Sequence, residues 1–227
     1  MTTGGGTAYA TSAMNRAAIG FREHTGWAAM VALGGGVEAP AVLDRRRYEL
    51  CDEGVPRAAY HVALDLDLAA AERLVQQVEE SARGSAVTQL EETVAALEAD
   101  GYDVVGAAVA ARRPLPADLS AILASHPNLH TAEGQLFREA LADAIEARGL
   151  PVVRFAQQQL YDQTADRIGT SDASLRAQLS GLGRALGPPW RQDQKEAAAA
   201  AWLALACADR GLPAEPAQPA EPAQPTS

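Results

Sequence analysis

Two carboxylates stand one helical turn apart in the segment Gly187-Pro-Pro-Trp-Arg-Gln-Asp193-Gln-Lys-Glu196, which then runs on through alanines. Residues three apart on a helix are neighbours on its surface, so Asp193 and Glu196 can offer oxygen donors to one divalent cation. Hard cations such as Mg²⁺ take donors of this kind. The pair also suits an ordinary first turn, where the helix dipole stabilises an acid by about 0.3–1 kcal/mol. Opposite chemistry is offered by Arg22, Arg112, Arg113 and Lys195, which suit a phosphate or a carboxylate. Glu23-His24 reads equally as a polar hairpin turn. His126-Pro-Asn-Leu-His130 reads as a break between helices. His130 with Glu133 is within reach of a metal, but two residues do not make a site.

Composition narrows the classes of partner. The chain has 227 residues and a formal net charge of −10, so nucleic acid is repelled by the surface as a whole and needs a local basic patch. Arg45-Arg46-Arg47 can be such a patch, or can guard a strand edge against pairing. Cys51 and Cys207 lack metal-ligand spacing, which fits a reduced protein. The start, Met1-Thr-Thr-Gly-Gly-Gly-Thr, does not read as a signal peptide. The apolar run Ala197 to Ala208 is about half of the roughly 20 residues a membrane span needs. The expected location is cytoplasmic, with no membrane partner. No phosphate loop follows Gly34-Gly-Gly36, and no Ser-His-Asp, Cys-His or zinc motif can be assembled from spacing.

The elements that must position these groups follow from periodicity. Residues 1–15 are small and polar, and residues 212–227 repeat Ala-Glu-Pro-Ala-Gln-Pro, so both are expected to be disordered tails around a domain at 16–211. Within it, Ala17 to Phe21, Trp27 to Leu33 and Ala41 to Leu50 read as three strands joined by tight turns at 22–26 and 34–36. Asp67 to Glu98 has helical spacing, and Asp100-Gly101 ends it. Val104 to Ala110 is apolar on both faces, as a central parallel strand must be. A short helix around 118–124, a helix 133–148 capped by Thr131, a strand 151–155 and three helices near 158–168, 172–186 and 190–209 complete the chain. The class is α/β, with a mixed five-stranded sheet: three antiparallel strands, then parallel ones, with helices on both faces.

This order, together with Ile19-Gly20-Phe21, Leu150-Pro-Val-Val-Arg-Phe-Ala-Gln-Gln-Gln and the Asp193-x-x-Glu196-Ala-Ala-Ala pattern, resembles the ribonuclease H-like superfamily in the arrangement of RuvC-type junction resolvases. The resemblance implies a two-metal nuclease using Mg²⁺ or Mn²⁺, with an aspartate ending the first strand and a glutamate on the fourth. Here the first position is Arg22, with Glu23 next to it, and Val104 to Ala110 holds no acid. The catalytic set is therefore degenerate. Three readings follow. The leading one is an eroded metal site whose cleft binds a phosphate-bearing partner, nucleic acid included, through Arg22, Arg112, Arg113 and Lys195. The second is an active metal-dependent phosphodiester hydrolase with Glu23, Asp193 and Glu196 as catalytic acids and Glu133 as a further ligand. The third is a non-catalytic adaptor that binds a protein partner or a second copy of itself.

Overall fold

The computed structural model describes residues 15–210, so the expected tails fall outside the described residues except for Asn15. Five strands form one sheet: β1 (Arg16–His24), β2 (Trp27–Gly34), β3 (Ala41–Glu49), β4 (Asp103–Ala110) and β5 (Val152–Phe155), in the order β3-β2-β1-β4-β5. β1, β2 and β3 pair antiparallel, while β1–β4 and β4–β5 pair parallel. The helices are α1 (Ala59–Ala63), α2 (Leu68–Ala99), α3 (Leu119–Leu123), α4 (His126–Ala147), α5 (Leu160–Ile168), α6 (Asp172–Leu182) and α7 (Gln192–Asp209).

Apart from the largely exposed edge strand β3, the sheet is buried on both faces, and strand alternation sorts its side chains between two cores. Ala17, Ile19 and Phe21 of β1 join Ala28, Met30 and Ala32 of β2 under α2 and α4. Ala29, Val31 and Leu33 face the other way, against α5, α6 and α7. The alanine run of α7 has a steric cause. A Cβ at Gly20 would lie 2.0 Å from the Ala197 carbonyl oxygen and 2.2 Å from the Ala201 nitrogen, so α7 rests on the backbone of β1 itself. Larger side chains than alanine at 197–201 would hold the helix off the sheet. Trp202 anchors the same helix, its indole N–H donating to Val37 O at 2.8 Å.

Two boundaries differ from the sequence expectation, and each matters to the site. Arg22, Glu23 and His24 are not a turn. They pair in register with Ala29, Ala28 and Trp27, and the turn is Thr25-Gly26. α4 begins at His126 rather than after Thr131, because Pro127 occupies the first turn, where a proline has no hydrogen bond to lose. α2 runs unbroken through Gly84 and is capped by Asp67, whose carboxylate accepts from Ala70 N.

Candidate functional site

The C-terminal ends of β1 and β4 meet the head of α7, the place where open α/β sheets bind ligands. Alternation along β1 puts Arg22 and His24 on the α7 face and Glu23 on the other. Arg22 Nε lies 2.6 Å from Glu196 Oε2, in ion-pair contact without hydrogen-bond alignment. The Arg22 guanidinium also donates to Glu23 O at 2.6 Å. Glu196 is further held by Gln157 Nε2 at 3.0 Å and Gln192 Nε2 at 2.7 Å. His24 Nε2 meets Asp193 Oδ1 at 2.9 Å, and its ring stacks on Trp27 with centroids 4.2 Å apart. Arg47 lies over the outer face of Trp27, 3.8 Å from its centroid. Each carboxylate at the head of α7 thus faces a basic side chain of β1.

Glu23 does not converge with Asp193 and Glu196. No bulge turns it, since β1 pairs with β2 without interruption from Ala17 to His24. Its side chain is only 2% exposed, and its Oε1 accepts from Arg138 Nε at 2.8 Å and lies 2.7 Å from Arg138 NH2. Arg138 also donates to Ala111 O at the end of β4. Glu133 lies apart as well. It is buried on α4, where its carboxylate meets His61 Nδ1 and accepts from Tyr60 N at 3.2 Å.

The basic residues are dispersed too. Arg112 sits 3.4 Å from Glu139, which Arg154 already holds through both oxygens. The Arg113 backbone N–H donates to Gln135, and its guanidinium has no acidic partner among the described residues. Both arginines line a cavity of about 800 Å³ bounded by Arg83, Glu79, Glu139 and Asp143. Burial lifts the Glu79 carboxyl above the usual carboxylate range, while Arg83 pulls it back. Lys195 lines a separate hollow with Tyr161 and Arg176. Arg45, from the triple-arginine run, donates to the carbonyls of Leu186, Gly187 and Pro188 and clamps the loop before α7. Thr131 caps nothing, because it lies inside α4 with its hydroxyl donating to Pro127 O.

Two-metal phosphodiester cleavage needs carboxylates from separate elements around one pair of ions. The residues at this position do not fit such a pair. The first-strand place holds a cation, and the only acid of β4, Asp103, lies at its far end, paired in register with Arg16. Sequence reasoning also missed His61, one ring nitrogen of which lies with donors of His130 and Glu133 inside a 4.8 Å sphere of mutual distances.

The sequence matches no known protein family, and no curated protein matches it. Its structure is similar to that of T. thermophilus RuvC in complex with a Holliday junction substrate, with a TM-score of 0.51 and 13% identity, covering 86% of this chain and 96% of that one. A second Thermus thermophilus RuvC structure gives a TM-score of 0.51 at 12% identity over the same shares. At this identity the likeness is one of architecture: the chain has the ribonuclease H-like α/β fold, with a mixed five-stranded sheet in the arrangement of RuvC.

Proposed function

We propose that this chain is a non-cleaving ribonuclease H-like protein that engages a phosphate-bearing partner, nucleic acid included, at the C-terminal end of its sheet. The observation that carries the reading is the Arg22–Glu196 contact at 2.6 Å. A guanidinium stands where a two-metal centre needs its bridging carboxylate, and it neutralises an acid that would otherwise hold a cation. The accessible cations for a partner are Arg113 and Arg112, the latter with 69% of its side chain exposed. The similar RuvC structure was solved with a Holliday junction substrate, which makes junction DNA the first partner to try. A cytoplasmic location goes with this reading, and Cys51 and Cys207 are free thiols. Among the described residues no helix is long and apolar enough to cross a membrane.

The test is a paired assay on the purified chain. Binding of labelled four-way-junction and single-stranded DNA is measured in chelator at rising salt, and cleavage is measured with Mn²⁺. Binding without cleavage, weakening steeply with salt and reduced by Arg112→Ala with Arg113→Ala, supports the proposal. Cleavage abolished by Asp193→Asn overturns it in favour of the metal-dependent nuclease. Failure of both DNAs and of inorganic phosphate to bind overturns it in favour of the adaptor.

A further inference from the structure

We propose that the head of α4 carries a second metal site, a four-donor centre for a divalent transition ion of the zinc class, formed by His61, His126, His130 and Glu133. Three of the chain's four histidines gather here. His126, His130 and Glu133 stand at i, i+4 and i+7 of α4, a spacing that stacks all three on one helix face. His61 comes from α1, which packs against the same helix. Two separate elements thus aim donors at one point, which a fixed metal site requires and a chance pair along one helix does not supply.

The distances suit the ion. Nitrogen and oxygen donors sit about 2.0–2.2 Å from zinc, so neighbouring donors of a tetrahedral site are about 3.3 Å apart. The Nε2 atoms of His126 and His130 are 3.0 Å apart. The donors of His61, His130 and Glu133 all lie within 4.8 Å of one another. His61 Nδ1 already touches Glu133 Oε2. His126 lies outside that trio, touching it through His130, and joins it in the proposed site by rotation of its side chain. Glu133 brings a buried carboxylate whose other oxygen accepts from Tyr60 N. That backbone contact is the kind of outer support that orients a metal ligand. An imidazole-rich set with one carboxylate favours zinc-like ions over Mg²⁺, which prefers oxygen.

A core-packing role does not account for this arrangement. His126 and His130 are exposed, yet their ring nitrogens point at each other rather than at water. Two lone pairs cannot face each other favourably, so one ring must donate, and a shared cation satisfies both. The site would tie α1 to α4 at the rim of the large cavity, whose lining includes Tyr60 and Ala132, each next in sequence to a donor. It is independent of the cleft at α7, and its failure leaves that reading untouched.

The experiment uses the untagged full chain, stripped with chelator and titrated with Zn²⁺ by calorimetry, with Co²⁺ as the optical probe. The expected result is one ion per chain at micromolar affinity or tighter, visible Co²⁺ absorption of a four-coordinate centre, and a melting temperature raised by several degrees at saturating Zn²⁺. His130→Ala and His61→Ala are expected to weaken binding by at least about tenfold. Asp193→Asn is expected to keep it. Should either histidine variant lose its circular-dichroism signature, the exposed His126→Gln serves in its place. Absence of Co²⁺ bands with no thermal shift overturns the proposal. So does unchanged affinity in the histidine variants, or loss of the ion in Asp193→Asn, which would put it at the head of α7.

Discussion

The heads of α4 and α7 are built alike and behave oppositely. Each presents chemistry-bearing side chains on its first turns, and each is packed against a separate element that completes the group. At α7 the completing residues are Arg22 and His24, so Glu196 meets a guanidinium and Asp193 an imidazole. At α4 the completing residue is His61, which with His130 and Glu133 brings three possible ligand atoms within 4.8 Å of one another, with no guanidinium among them. On the proposed readings, the neighbouring element decides which helix end holds a cation.

The largest effect comes from breaking what positions α7. Gly20→Val puts a side chain against helix backbone, where no rotamer relieves the clash. The expected cost is on the order of 3 kcal/mol or more, measured as loss of a cooperative urea transition. A variant that melts like the parent would show that α7 can stand off the sheet, and the pairing at its head would lose its structural basis. Next in size is Glu23→Ala, which leaves Arg138 buried without its partner. Breaking a buried pair costs about 3 kcal/mol. Glu196→Ala exposes a less buried cation, since the Arg22 side chain is 27% exposed against 14% for Arg138. Its cost is expected to be about half as large. Equal costs would mean that the two faces of β1 are not electrostatically distinct.

Much of the fold was written in periodicity. Val104 to Ala110, apolar on both faces, is the interior strand β4, parallel to β1 and β5. Ala41 to Leu50 contains the edge strand β3, antiparallel to β2. The sites were harder to read because both lie where local signals mislead. Arg22-Glu23-His24 looks like a polar turn, yet each residue has a strand partner, and only that extension reveals which of them share a face. Pro127 looks like a helix breaker, yet in a first turn it is neutral. Treating 126–130 as a loop hides the i, i+4, i+7 relation of His126, His130 and Glu133. Strand order alone sets Arg112 beside Arg22, but the chain leaving β4 turns Arg112 toward Glu139 on α4. The sequence carries no periodic trace of where that short loop goes.

A third test tries to convert one head into the other. Arg22→Asp removes the guanidinium, frees Glu196 and restores an acid at the end of β1. The expected cost is about 1–2 kcal/mol, because the introduced carboxylate would sit near two acids without a cation. In a His130→Ala background, so that α4 does not contribute, the variant is expected to gain Mn²⁺ binding by calorimetry that Asp193→Asn then removes. If the parent binds Mn²⁺ equally at that place, Arg22 is not what closes it.

The smallest effect separates the two faces of the sheet by pH. Under α2, Tyr48 donates its hydroxyl to Gln89 O at 2.8 Å and meets Thr93 Oγ1 at 2.5 Å. Burial pushes its phenol well above the usual tyrosine range. An unfolded tyrosine ionises near pH 10. Above that pH the unfolded chain sheds a proton that the folded chain keeps, so stability falls as pH rises. The contribution is complete below about pH 10 and is lost on the way to the folded value. Tyr60, pushed to about 12 by burial, and Tyr161, also raised, add to the same slope. Tyr48→Phe removes the largest of these terms and costs about 1 kcal/mol at neutral pH through its hydrogen bonds. Its urea midpoint is then expected to fall less than the parent's between pH 9.5 and 11. Parallel slopes for parent and variant would show that Tyr48 does not hold its proton in the folded chain, and that the α2 face is no more sensitive to alkali than the face where α7 packs.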